Sequence, residues 1–383
     1  MAEYNLSDLY DKYEGFTRPV ARVYLGGKDP EKDKKAQFSV ADYNVEVSSD
    51  FKASIATFSI IGAFSMSSGE FDMNALKKYI GLGTDVRVLM GHAASIMEVF
   101  RGYIARVDFI YQPEIGMMGA VRITAMDVKG IMMANNSSKR LNANYYSDAV
   151  KEIFDTAPYQ NLINRQIITD LAISDTPDKP LGGASAGPPP DIRIETVAES
   201  DYDFVVRTAK KFNYEFFSLG GNIAFRKAKA NTQELIEIIP STAIEAFDIS
   251  YDITGIVGEV KVRTLDIGKA QKIEVKKKNS GKFSLGSKAK PLVSGQTYVY
   301  TDSSIETQTD ADRRAEYIME DMSYRFGSIN MTLHGMPELV PGRFITLKGF
   351  GDGVSNKYYL TDVVHEYSGG VYSTTIIGKA STL

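Results

Sequence analysis

At 383 residues, 43% of them hydrophobic, the chain is longer than a usual single domain and can bury a core across two or three. Its 44 lysines and arginines nearly balance 48 aspartates and glutamates, and the net charge of -4 argues against a duplex nucleic-acid binder with many phosphate contacts. There is no cysteine, which rules out disulfide frameworks, thiolate metal sites and cysteine nucleophiles.

The N-terminal arm, residues 1–16, reads MAEYNLSDLYDKYEGF; it carries four acidic residues and lacks the basic start and long apolar run of a signal peptide. No later stretch approaches the roughly 20 apolar residues of a membrane helix. Synthesis in the cytoplasm of the producing cell, without a membrane partner, is the expectation.

From residue 17 to 140 apolar and polar residues alternate with a period of two, the mark of strands with one buried face. Candidate strands are Tyr43 to Val47, Ser54 to Ile60, Asp85 to Met90, Phe100 to Phe109 and Ala120 to Ala125, with Gly91, Gly116 and Gly119 as turn residues. Residues 141–243 read as an α+β middle region. Tyr146 to Ala157 puts Val150, Ile153, Phe154 and Ala157 on one helix face, with Ser147 as a cap. The stretch 174–190, GGASAG followed by three prolines, reads as an exposed loop.

Ser200 and Asp203 form a capping pair for a helix through Phe212, and a hairpin follows, Tyr214 to Ser218 and Asn222 to Arg226 about Gly220-Gly221. Period-two alternation then returns over 244–383, interrupted by an insertion, 269–339. That insertion holds a lysine-rich loop, Lys276 to Ser294, and a helix capped by Thr309 with a stripe of Ala311, Ala315, Ile318, Met319, Met322 and Phe326.

The two β regions repeat each other in order as well as in composition. Tyr43 to Gly62 answers Phe247 to Gly268, and Gly83 to Gly91 answers Pro341 to Gly349, with Val86 and Val88 matched to Ile345 and Leu347. Phe100 to Phe109 answers Tyr358 to Tyr367, and Gly119 to Asp127 answers Gly370 to Gly378. Since an open sheet of about five strands exposes its edges, each copy is expected to close into a small β-barrel. The predicted fold is mainly β with an α+β middle, two similar small barrels per chain, and a trimer would present six similar units in a pseudo-six-fold ring.

Two segments carry a family resemblance. AESDYDFVVRTAKKFNYEFF, Ala198 to Phe217, resembles a motif in the hub part of type VI secretion spike proteins: an acidic pair, an aromatic, a helix, then an aromatic-rich strand. PELVPGRFITLKGF and YYLTDVVHEYSGGVYSTTI, between Pro337 and Ile376, resemble the end of phage late control D proteins and myophage baseplate hubs.

The resemblance runs from about Thr17 to the end of the chain. It implies a homotrimeric baseplate hub below a tail tube or tube-initiator protein, with baseplate wedge proteins beside it and either the tape-measure protein or cargo in the lumen. It also implies assembly into the baseplate of a phage tail, tailocin or related injection particle. Many of the type VI proteins continue into a further barrel and a β-helix, whereas this sequence stops at Leu383, so the spike is expected to be a separate protein. Asn213 stands where the family often has glycine, a place asparagine tolerates.

His92, His334 and His365 lack a histidine partner at metal-ligand spacing and read as surface or core residues; His365 and Glu366 in a strand point to opposite faces. Gly349 to Val354, GFGDGV, lacks a following helix and a Walker lysine and reads as a hairpin turn. Glu31 with Asp33 and Asp310 with Asp312 fit a charged loop and a helix start.

The cluster Lys272, Lys276, Lys277, Lys278, Lys282, Lys288 and Lys290 reads as a solvated loop, with an acidic baseplate neighbour as the alternative. No catalytic, cofactor-binding or metal-ligating residue is nominated, and no cofactor, enzyme activity or specific nucleic acid is expected. The competing functions are a cell-wall-degrading tail protein, which would need paired acids in a pocket, and a distal-tail or tube-initiator ring, which would need one barrel in six copies.

Overall fold

The computed structural model describes residues 2–33, 38–112, 117–177, 194–266, 271–281, 288–302, 305 and 307–382. Most of the Gly/Pro-rich loop, Gly116, Gly268 and Lys282 lie outside them. The architecture is mainly β with helices.

The first region contains α1 (Leu6–Lys12), β1 (Pro19–Leu25), β2 (Ser39–Ser48), β3 (Ile55–Ile61), β4 (Asp85–His92), β5 (Ser95–Gln112) and β6 (Met117–Met126). Alternation drives burial here: Ala56, Phe58 and Ile60 of β3 and Val86, Val88 and Met90 of β4 enter one core while their neighbours stay outside. The strand β1 lies outside the strands expected from the sequence, although its Ala21, Val23 and Leu25 follow the same rule.

The middle region contains α2 (Tyr146–Phe154), α3 (Ala157–Asn164), β7 (Asp170–Ile173), α4 (Asp201–Phe212), β8 (Tyr214–Leu219) and β9 (Asn222–Lys227). The three strands form their own sheet, with β9 between β7 and β8. Phe154, Phe204, Phe216 and Phe225 are fully buried where the helices cover this region. Ser147 is not a cap but lies inside α2, whose N-cap is Tyr145 with no side-chain bond. The Ser200 cap is as expected: its hydroxyl accepts from the Asp203 amide at 3.0 Å.

The last region contains β10 (Glu234–Ile238), β11 (Ile244–Tyr251), β12 (Glu259–Asp266), β13 (Gln271–Lys278), β14 (Thr297–Thr301), α5 (Gln308–Ser323), β15 (Gly327–His334), β16 (Phe344–Leu347), β17 (Lys357–Ser368) and β18 (Val371–Ala380). Thr307 rather than Thr309 caps α5, accepting from the Asp310 amide at 3.1 Å. The stretch expected to be a lysine-rich loop is partly regular, because β13 runs on to Lys278 and Ala289–Ser294 is helical.

Hydrogen-bonded order reveals the repeat. In the first region neighbours run β2-β3-β6-β5-β4-β1, and in the last β11-β15-β18-β17-β16-β10, so both modules follow the order 2-3-6-5-4-1. The pairings from second to fourth strand are antiparallel in both copies. Only the first strands differ in direction, β1 antiparallel to β4 and β10 parallel to β16. A β-bulge also recurs: β5 skips between Ile104 and Arg106 against β6, and β17 skips between Leu360 and Asp362 against β18.

These registers correct two expectations. The counterpart of β3 is β15, not the strand at Val260; β12 pairs with β13 and β14 in a separate sheet. That sheet and α5 share a core of Val260, Val262, Ile273, Ala315 and Met319. The insertion thus falls between the second and third strands of the last module, and an insertion in the first falls between its third and fourth. Matching the bulges also pairs Gly102 with Tyr358, two residues from the register expected for β5 and β17; a slip of two keeps every side chain on its face, so alternation alone could not detect it.

Two separately closed barrels are not what the ladders show. Among the described residues β1 and β2 do not pair with each other, nor do β10 and β11. Instead β2 pairs with β17, and one thirteen-stranded sheet runs through both modules. The edge that would close the first module is used to join the second.

Candidate functional site

The join between modules is where the chain's unusual chemistry gathers. Six antiparallel pairs, from Asp362 opposite Ser48 to Tyr367 opposite Tyr43, form the β2–β17 ladder. Tyr43, Val45 and Val47 face the core from β2, and Tyr43 meets Tyr367 edge-on at 6.0 Å. At one end the Ser49 amide donates to the Thr361 carbonyl at 2.9 Å, and the Lys52 ammonium sits 2.6 Å from Asp362. The β17 bulge is thereby clamped by the loop after β2.

Behind that loop lies a buried pair, Asp127 and Lys129. Asp127 accepts from the amides of Ser54 (3.1 Å) and Lys129 (2.9 Å), while the Lys129 ammonium donates to the carbonyls of Asp50 and Lys52. Burial raises the Asp127 pKa and lowers that of Lys129, and each charge partly offsets the other's shift. The same ammonium stands 5.9 Å from the Phe216 ring in the middle sheet.

The middle region reaches the last module through Glu215. This buried carboxylate accepts from Arg226 Nε at 2.7 Å and from the Tyr359 hydroxyl, and Arg226 Nη2 donates to the Gly342 carbonyl at 3.0 Å. Asn213 adopts the left-handed conformation, φ 57° and ψ 49°, as the C-cap of α4, and its amide nitrogen donates to Glu320 of α5 at 2.6 Å. Asparagine therefore does here what glycine would.

At the far end of the join the N-terminal arm crosses over. Tyr4–Asn5 pairs with β10, and Leu6, Leu9, Tyr13 and Phe16 pack in the core of the last module. The Tyr13 hydroxyl donates to Glu338 at 2.6 Å and Lys12 pairs with it at 2.7 Å. His92, at the end of β4, donates from Nε2 to the Gly335 carbonyl at 2.8 Å, tying first module to last.

The three histidines are placed accordingly. His92 and His365 are buried, and His334 is half-exposed, 4.0 Å from Glu245. His365 Nδ1 lies 3.1 Å from the Thr374 hydroxyl and 3.0 Å from that of Tyr372. Burial pushes the His365 pKa down to about 3, with the Leu339 backbone partly opposing it. A depressed pKa means that the unfolded chain takes up the proton first, so stability is full above pH 6.5 and is lost as pH falls toward 3. Between pH 7 and 5 the wild type is expected to lose about 2 kcal/mol that a His365→Gln chain keeps. Urea midpoints at the two pH values check this; parallel losses in both chains would contradict it.

The remaining sequence candidates stay apart. Gly349–Val354 is a loop between β16 and β17, with positive φ at Gly349, Gly351 and Gly353. Asp33 accepts from Tyr79, and Asp310 supports the Thr307 cap. Glu274 on β13 is held at about 2, below the usual carboxylate range, by Lys272 and then Arg263. Among the described residues no group of three acidic or histidine side chains could hold a metal.

Two clefts bracket these regions. One of about 100 Å³ is lined by Asp50, Glu215, Lys229, Tyr317, Tyr324 and Tyr359, and one of about 220 Å³ lies beside Gly258 and Lys278. Both fall short of the roughly 300 Å³ where small-molecule sites begin. No helix among the described residues is long and apolar enough to cross a membrane.

Solved structures share this architecture. A tail protein from Neisseria meningitidis MC58 superposes with a TM-score of 0.64 at 15% identity, covering 94% of this chain and 96% of its own. The 43 kDa tail protein of prophage MuSo2 from Shewanella oneidensis gives 0.67 at 12% identity, covering 95% and 98%. An E. coli component of the type VI secretion system, described as structurally similar to the T4 tail proteins gp27 and gp5, gives 0.55 at 8% identity, covering 93% and 76%. These are the groups to which the residue motifs pointed.

A family model described as the Alg8 N-terminal domain matches residues 192–369. It covers under half of the chain, begins inside the middle region and stops before β18, so it cuts through the last module. No curated protein matches the sequence. The chain has the fold of phage tail and type VI secretion proteins.

Proposed function

We propose that the chain is the hub of a contractile, phage-like injection machine: a homotrimeric ring adapting a six-fold tail tube to a three-fold spike. The observation that carries this reading is the duplication. Two modules of one strand order, each with its bulge in the same place, are joined through a continuous sheet. Three such chains offer six similar walls to a tube, while features occurring once per chain, the middle region and the β12–α5 insertion, offer three-fold surfaces. In the ring each module forms a small barrel-like wall.

The fold shared with tail and type VI proteins supports the reading. The role is structural, without turnover: the buried Asp127, Lys129 and Glu215 tie regions together, and the cleft that Glu215 lines is small. The partners are a tube or tube-initiator protein above, a separate spike below, and wedge proteins around the rim, in the baseplate of the assembled particle. Light scattering of the purified chain tests the stoichiometry. Three chain masses are expected, and a monomer persisting through the micromolar range would count against the hub.

A further inference from the structure

The β2–β17 join has an unoccupied twin. Matching bulge to bulge, Ile104 corresponds to Leu360, so Arg106 to Tyr111 of β5 correspond to Asp362 to Tyr367 of β17. Matching partners across β3 and β15, Tyr43 to Ser48 of β2 correspond to Phe247 to Asp252. In the first pair of elements β17 and β2 bond to each other. In the second pair, Arg106 to Tyr111 bond only to β6 and β11 bonds only to β15 among the described residues, leaving one edge of each segment unpaired.

Exposure shows what is missing. Phe109 is 46% exposed where its counterpart His365 is 2%, and Phe247 is 48% exposed where Tyr43 is 1%. Tyr111 is 51% exposed. Ring contacts cover these residues only in part, Phe109 meeting Phe71 at 5.1 Å, Tyr111 meeting Phe64 at 5.1 Å and Phe247 meeting Phe350 at 5.6 Å; the alternation that buries one set is present in the other without a paired strand.

We infer that the free edge of β11 in one copy docks antiparallel on the free edge of β5 in the next, repeating between chains the β2–β17 ladder within each chain. The inference rests on the hub reading and supplies its subunit interface. Transferring the register sets Tyr111 opposite Phe247, as Tyr367 is opposite Tyr43. Phe109 then faces Ile249 and Val107 faces Tyr251, apolar against apolar; Arg106 faces Asp252. Charge agrees at one end of the ladder, where Arg106, itself 2.8 Å from Asp108 on β5, meets Asp252 just past the end of β11. Because the contact joins unlike patches, copies add head to tail, each sheet continuing into the next, and three of them close the ring of the hub reading.

Cysteine cross-linking tests this cleanly, since the chain has no cysteine of its own. Oxidising a mixture of Phe109→Cys chains and Ile249→Cys chains is expected to give covalent dimers that neither chain gives alone. A chain with both changes is expected to give covalent trimers. Arg106→Asp and Asp252→Arg should each weaken the assembly about tenfold, and together restore it to within about threefold. Trimers by mass that never cross-link would overturn this interface and leave the hub standing. Chains that stay monomeric and uncross-linked would overturn both.

Discussion

A Lys129→Met chain is expected to lose about 3–5 kcal/mol of folding stability. The side chain is fully buried, so its ammonium was desolvated on folding and is compensated by the carbonyls of Asp50 and Lys52, by Asp127 and by the Phe216 ring. Methionine fills a similar volume but leaves Asp127 without its counter-charge and two carbonyls without a donor. Urea unfolding checks the loss. Changing Asp127 to asparagine in the same chain should return part of it, because the abandoned charge is then removed. An unchanged midpoint in the single variant would mean that the loop after β2 is held by other contacts.

Gly335→Ala is expected to cost about 3 kcal/mol, acting on the opposite end of the join. A Cβ at this position would stand 2.0 Å from Cδ1 of Tyr372, a ring itself 3% exposed. The ring is flanked by His365 and His92, and the Gly335 carbonyl receives the His92 bond, so neither partner can retreat without breaking a link between modules. Thermal unfolding measures the cost. Wild-type stability would show that Tyr372 can swing aside.

The strands that alternate were readable because burial of one face imposes a period of two, and the middle helix of Phe204 to Phe212 was readable because Ser200 and Asp203 punctuate it. The duplication was readable from order, but its third strand was misassigned. Val260 and Val262 alternate as well as Ile329 and Met331 do, and only pairing separates a strand of the module from a strand of the insertion.

The join was illegible for a different reason. Nothing local in Tyr43 to Ser48 distinguishes a strand that pairs with β17 from one that closes its own barrel. Asp127 and Lys129 were likewise passed over, because charged residues two apart after a strand look solvated until the fold buries them. The place of His92 at the module boundary was illegible too, because it depends on a bond to the Gly335 carbonyl, more than two hundred residues away in sequence.

End-on electron-microscopic averages of the isolated assembly test the central claim most directly. A duplicated chain in three copies predicts a three-fold particle whose inner wall repeats six times, with first and last modules alternating around it. A ring of six chains, or a single chain with unlike surfaces at the two module positions, would contradict it.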